Sequence, residues 1–573
     1  MANKPVAMAR TTQLVSTYGV GALFPVMDQS FMILGIDEWR SEAGTRIEEK
    51  RLARALGVQY FKSPPAGGVK GYRVPVVRFP RWHYCPECHR LDALNKFCSW
   101  DEHVCHDCER ELVPSRFVAC CPRGHIEDFP YFSWLHGGQG GGVGVTHKMR
   151  LRTSGSSSSL DAVVLSCSCG VQDTTMANSF APHALEQVAK CRGQRPWLQG
   201  AGEEDCGETL RTLQRGSSNV WFSSVKSALS IPPWSDNVQR LVERNWSVLK
   251  NLPDTVLSTV AATMNLGEVT VKELVDAVIA QRSDSAAPAQ DQADLRRDEY
   301  KALSVGQPDP DKSKHFVVKP RQVPSEVLGE FSLLSEASRL REVRAVDGFV
   351  RVRPVAAGEQ VDRRARLSKS KLDWLPAMEV LGEGVFLRFD EGRLQAWEST
   401  AFARSRAELV KKAEELRSAA LNLTVVTDVK PRELLLHTFA HALLNELSLD
   451  AGYPVASLRE RVYSEDDECG VLLYTASSDS AGSLGGLAAQ SDPYRMEEVL
   501  TAAVRRAAWC SSDPVCVEAT STGVDGLNLA ACHACVLLPE TSCENQNVHL
   551  DRATLVGLPT SPSEGFFASR LVL

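Results

Sequence analysis

Several things are missing from this sequence of 573 residues. No run of about eighteen apolar residues occurs, so no membrane-spanning helix is expected. The N-terminus, MANKPVAMARTTQLVSTYG, has no apolar h-region ahead of a small-residue cleavage site. Secretion is therefore not expected, and a cytoplasmic location is. The phosphate loop G-x-x-x-x-G-K-[ST] is absent, which excludes a P-loop ATPase, and G-x-S-x-G is absent, which excludes a nucleophile elbow. H-E-x-x-H is also absent: His437 and His441 are four apart, but Thr438 stands where the general-base glutamate would be. Both histidines read as core or capping residues on an apolar helix that Pro431 helps to start. The chain is read as non-catalytic on its own. Finally, no cysteine occurs from 207 to 468, although the chain has 17.

Those cysteines fall into two blocks, 85–206 and 510–543, with Cys469 standing alone. A reducing cytosol disfavours disulfides, so the clusters suggest metal ligands. HYCPECHRLDALNKFCSWDEHVCHDCERELVP holds C-x2-C-x16-C-x2-C: Cys85, Cys88, Cys105 and Cys108. Two CxxC turns supply a tetrahedral soft-ligand site suited to structural zinc. Cys98 is left for the core. A second set is expected from Cys167, Cys169, Cys191 and Cys206. Cys121 and His125 of CPRGHIEDF stand as alternatives to Cys191 and Cys206. A third set takes Cys516, Cys532, Cys535 and Cys543, with Cys510 as the alternative to Cys516. Three sets imply about three zinc ions per chain. Beyond the third set, Asn547, Asp551 and Arg552 are expected as caps or surface contacts.

The formal net charge of −7 decides little about nucleic acid. Local charge says more. Residues 339–371 carry ten basic side chains against four acidic ones, a net charge of +6. Alternation in VRVR would place Arg351 and Arg353 on one strand face. VDRRARLSKSK, with Arg363, Arg364 and Arg366, reads as a loop able to follow phosphates. These five arginines are the expected DNA contacts, mainly to the backbone and so independent of sequence. The strand–glycine–helix order around SSDSAGSLGGL (Gly482, Gly485, Gly486) could hold an anion, but a tight turn is the plainer reading. A helical region is expected over roughly 235–282, a polar linker near 282–300, and an amphipathic helix near 407–421. The glycine-rich HGGQGGGVG, 136–144, reads as a flexible loop.

PRELLLHTFAHALLNELS, GVLLYTASSDSAGSLGGL, AAWCSSDPVCVE and LNLAACHACVLLPETSCENQNVHLDR resemble the zinc-binding (MZB) domain of MrfA-type repair helicases. More closely they resemble the DrmB family, accessory proteins of DISARM anti-phage defence in bacteria. RTTQLVSTYGVGALFPV, LVPSRFVACCPRGHIEDFPYFSWLH, LQRGSSNVWFSSVKSALSIPP, SRLREVRAVDGFVRVRP and LGEGVFLRF extend the resemblance upstream, in order. It implies an accessory subunit that binds a helicase-like ATPase, DrmA, and helps it engage DNA. A zinc-stabilised scaffold making only protein contacts is the alternative. The expected architecture is α+β and multidomain, with zinc-stabilised modules. Its parts are an α+β segment (1–80), a zinc-ribbon-like region with one or two zinc sites (81–210), a mixed middle domain with the basic stretch and linker (211–415), and a mixed α/β MrfA-type zinc-binding domain (416–573).

Overall fold

The computed structural model describes residues 5–571 apart from 41, 68–70, 100–101, 139–146, 156–158, 233–235, 268, 285–290, 310–312, 314, 328, 356–362, 421–427 and 476–485. Most of the glycine-rich loop, the centre of the linker near 282–300, and Gly482 and Gly485 therefore lie outside the described residues.

Two long strands organise the molecule. Phe331–Val350 and Trp374–Phe389 pair antiparallel, from Phe331 opposite Phe389 to Ala345 opposite Ala377, with bulges after Phe331 and Ala337. They form the centre of an eight-stranded sheet. Phe222–Leu229 and Phe316–Arg321 lie end to end along the free side of the first strand. Along the second strand lie Tyr60–Lys62, in parallel, and the hairpin Leu458–Tyr463/Gly470–Thr475. Gly384 permits the tight hairpin contact, because a Cβ there would sit 2.2 Å from the Leu473 carbonyl. Segments expected to form three separate regions (1–80, 211–415 and 416–573) thus share one sheet.

The first long strand changes character along its length. From Leu340 to Val346 every residue is buried, because both faces are covered. Charged side chains there must find partners inside. Arg344 pairs with Glu342, two residues away on the same face (2.8 Å), and Arg341 with Glu379 (2.7 Å). Glu342 also accepts from Arg461 (2.7 Å), which reaches Glu299 on the covering helix Gln292–Val305. That helix begins with a capping box at Asp291 and Asp294.

Preceding it, the helices Asp236–Leu249, Asp254–Ala262 and Val271–Asp284 form a small core of their own. On the C-terminal side, the 21-residue helix Pro431–Ala451 is apolar almost all round and buried accordingly. It packs on the 458–475 hairpin, on Pro493–Ala507 and on Ala401–Ala420. Among the described residues, no helix is long and apolar enough to cross a membrane.

The N-terminal third is built from short strands. A six-stranded sheet runs from Val113–Pro114 through Trp82–Tyr84, Arg90–Ala93, Met149–Thr153 and Val163–Cys167 to Thr174–Thr175. Phe117–Cys120 lies between Ile126–Asp128 and Arg211–Gln214 in a second sheet. Eleven of the 17 cysteines lie in this third of the chain, on these strands or in the segments that join them.

Candidate metal centres

Five groups of four ligand-type side chains come together among the described residues, each with its ligand atoms within 4.8 Å of one another. Cys85, Cys88, Cys105 and Cys108 form the first, as the spacing predicts. Each CxxC closes a hairpin through a residue with positive φ, His89 (60°) and Glu109 (53°), whose amides donate to the carbonyls of Cys85 and Cys105. Cys98 is buried in the small core behind them.

The second group is Cys121, His125, Cys191 and Cys206, all buried. Gly124, at φ +83°, turns the chain so that His125 faces Cys121; Nδ1 lies 3.3 Å from that sulfur and 3.6 Å from Cys191. The other ring nitrogen, Nε2, donates to Glu204 (3.1 Å). A carboxylate can only accept, so Nδ1 carries the lone pair and points it at the sulfurs. Glu204 is itself held by Arg195.

Cys167 and Cys169 therefore do not share a site with Cys191 and Cys206. They meet His136 and His147: His136 Nε2 lies 3.4 Å from Cys169, and His147 Nδ1 3.4 Å from Cys167. Place in the fold explains the correction: Cys167 ends a strand of the six-stranded sheet, whereas the chain after Cys191 runs along the second sheet, where the Ile126 amide donates to the Gln194 carbonyl. His136 Nδ1 donates to the Phe132 carbonyl (2.8 Å), again directing Nε2 at the thiol. The Val171 amide and His136 hold the Cys169 thiol down to about 6.

In the C-terminal block, Cys510 and Cys516 both join Cys532 and Cys535. Sulfur separations are 3.4 Å for Cys510–Cys532, 3.8 Å for Cys516–Cys535 and 3.7 Å for Cys532–Cys535. The helix Pro493–Ala507 delivers Cys510, which explains why both upstream cysteines reach. Burial pushes Cys535 up to about 12, whereas the Ala534 amide and neighbouring thiols outweigh burial at Cys532 and bring it down to about 7. Four crowded thiolates need a cation among them.

Cys543 belongs elsewhere. It meets His437, His441 and Glu460 in a fifth, wholly buried group. The H-x3-H spacing was the available signal, but the apolar helix around it pointed to core. His136 and His147 flank a glycine-rich loop, a weaker signal still.

The arginines expected to touch DNA separate. Arg351 is fully buried and donates to the carbonyls of Gly21 and Gly124 (both 2.8 Å) and Val220. Its guanidinium lies against Phe349 and Trp197, and burial lowers it to about 10. It cannot meet a phosphate. The VRVR strand face does not form, because the strand ends at Val350 and Val352 takes φ 74°. Arg353 and Arg363 are half-buried, Arg363 donating to the Pro354 carbonyl (2.8 Å), and Arg364 pairs with Asp347. Arg366 is exposed, and with exposed Arg123 it lines a cleft of about 330 Å³ beside His125 and Glu204. Further corrections concern Asp551 and Arg552, which are fully buried. Asp551 accepts from two nitrogens of Arg406 (2.7 and 3.0 Å), and Arg552 donates to Asp513 and the Ala507 carbonyl. Gly486 lies near a helix N-terminus that Asp492 already caps, accepting from the Tyr494 and Arg495 amides, so that end offers no open anion site.

Within this α+β chain lies a segment of the zinc-binding class: residues 439–536 match the MrfA Zn-binding domain. Cys510, Cys516, Cys532 and Cys535 all fall within the match, and their four sulfurs fit zinc. Along nearly its whole length the chain is similar to the DISARM protein DrmB of Bacillus paralicheniformis, at 29% identity over 574 residues, covering 95% of this chain and all of that protein. Residues 10–222 match a domain of unknown function, DUF8724.

Proposed function

We propose that this chain is a non-catalytic accessory subunit of a DISARM-type anti-phage defence complex, acting in the cytoplasm. The end-to-end similarity to the DISARM protein DrmB carries this reading. In it the chain binds a helicase-like ATPase of the DrmA kind and supports its hold on DNA. Zinc would occupy the Cys85, Cys121 and His136 groups as well as the four-cysteine group of the matched domain. Each is a closed four-ligand set, which suits structural rather than catalytic metal. Thiol ligands of this kind need reducing surroundings, which supports the cytoplasmic location.

DNA contact, in this reading, falls to the exposed Arg366 and Arg123 and the half-buried Arg364, which line the cleft, with Arg353 and Arg363 as further contacts. One observation favours the protein-only scaffold instead: Arg341, Arg344 and Arg351 are buried, so much of the local positive charge never reaches solvent. Co-purification with the ATPase and a salt titration of DNA affinity separate the two. Arg123→Glu with Arg366→Glu should flatten the salt dependence by about one unit of slope for each phosphate no longer neutralised, similarly for all DNA sequences. An unchanged slope, with the ATPase released, would assign the cleft to protein binding.

A further inference from the structure

We propose that His437, His441, Glu460 and Cys543 hold a further metal ion, of the zinc class, which pins the long apolar helix to the central sheet. The ring of His441 carries the argument. Its Nδ1 lies 2.8 Å from the Val536 carbonyl, an atom that can only accept, so Nδ1 bears the proton. With that proton on Nδ1, Nε2 presents its lone pair to Glu460 Oε1, 3.1 Å away. Two lone pairs at that distance, both buried, repel unless something positive lies between them.

A second proton on His441 would relieve that one contact, but the cluster contains others. His437 Nε2 is 3.0 Å from the same carboxylate oxygen and 3.2 Å from Cys543 Sγ. Its Nδ1, like Glu460 Oε2, is buried without a hydrogen-bond partner. One cation among the four ligand atoms would take the lone pairs of both Nε2 atoms, the carboxylate and the thiolate together, although His437 Nδ1 stays unpaired. The group mixes two nitrogens, one oxygen and one sulfur, a donor set that a borderline-soft divalent ion accepts. With the four residues between 0% and 3% exposed, the ion would have no open position for a substrate. Its role is mechanical.

The surroundings are built for such an ion. The Asn547 amide donates to Cys543 Sγ (3.2 Å), and the Val536 carbonyl orients His441. Val536 directly follows Cys535, a member of the four-cysteine group, so one peptide links the two centres. The matched zinc-binding segment, 439–536, contains neither His437 nor Cys543. Helix, sheet strand and C-terminal segment each supply ligands, so the ion would bind three parts of the fold that the four-cysteine group does not join.

Anomalous diffraction from crystals of the full chain, recorded on both sides of the zinc absorption edge, tests this directly. A peak is expected among His437 Nε2, His441 Nε2, Glu460 Oε1 and Cys543 Sγ. No peak there, beside a clear one at Cys510–Cys535, would overturn the proposal and leave a proton-bridged polar cluster. Metal content gives a second readout. Cys543→Ala should lose one ion per chain and keep the rest, whereas a folded variant with the wild-type count would refute the site. Should that variant not fold, the diffraction of the unaltered chain decides.

Discussion

Arg351→Met tests whether the positive stretch 339–371 is surface or interior. Arg351 spans three distant parts of the chain through the carbonyls of Gly21, Gly124 and Val220, and methionine keeps the aliphatic volume but donates nothing. Each carbonyl left without a donor in the interior costs about 1–3 kcal/mol. Relief from burying a guanidinium offsets part of that sum, leaving a net loss of roughly 3–5 kcal/mol. At roughly 2–4 °C per kcal/mol for a unit of 150–250 residues, the first unfolding transition should fall by about 6–20 °C. Scanning fluorimetry of the full chain reads this, and hydrogen exchange should show the Gly124 turn opening first. Arg351→Lys should fall between, because one ammonium cannot reproduce the fork. A variant that unfolds within about 2 °C of the wild type, a small fraction of the expected shift, yet binds DNA more weakly, would refute the buried-anchor account and restore the phosphate-binding one.

Other expectations are as specific. Cys510→Ala should remove one zinc per chain by elemental analysis, whereas Cys120→Ala, at a buried cysteine outside every ligand group, should remove none. His549 lies between Glu414 (2.9 Å) and Glu433 (3.0 Å); burial alone would lower it, but the two carboxylates raise it to about 9. A raised folded-state value means stabilisation present in full below about pH 6.5 and lost as pH rises through about 9, worth about 3 kcal/mol. Denaturation midpoints at pH 6 and pH 9.5 should therefore differ more for the wild type than for His549→Gln, and equal differences would remove His549 as the cause.

Local spacing made part of this molecule legible. The two CxxC turns at Cys85 and Cys105 could be paired because each knuckle is a self-contained hairpin, and the pair of pairs has few other ways to close. The α+β class, the helices near 235–282 and the apolar helix at His437 followed from periodicity and composition. The other ligand sets could not be sorted in this way, because sequence distance stops predicting spatial distance once strands cross. Cys191 sits 22 residues after Cys169 but packs against Cys121 in a different sheet. Cys543 is eight residues from Cys535, yet it turns toward a helix and a strand more than 80 residues upstream. The arginines were misplaced for a related reason. Charge counts cannot register that both faces of a strand are covered, and Arg341, Arg344 and Arg351 are neutralised or hydrogen-bonded where solvent does not reach.

The strand Leu458–Tyr463 lies at the end of the central sheet and pairs on one side alone, so its register depends on what its two faces must meet. Successive residues on it face opposite ways: Glu460 meets two histidines and a thiol under the long helix, and Arg461 meets Glu299 and Glu342 on the other side. A slip by one residue would swap them. A guanidinium would be thrust among imidazoles, and a carboxylate would be thrust among carboxylates, both without water. Neither face could absorb the error by repacking, as an apolar face could. This edge is therefore keyed like a lock cut on both sides, admitting one alignment of the hairpin during folding and rejecting its neighbours by charge.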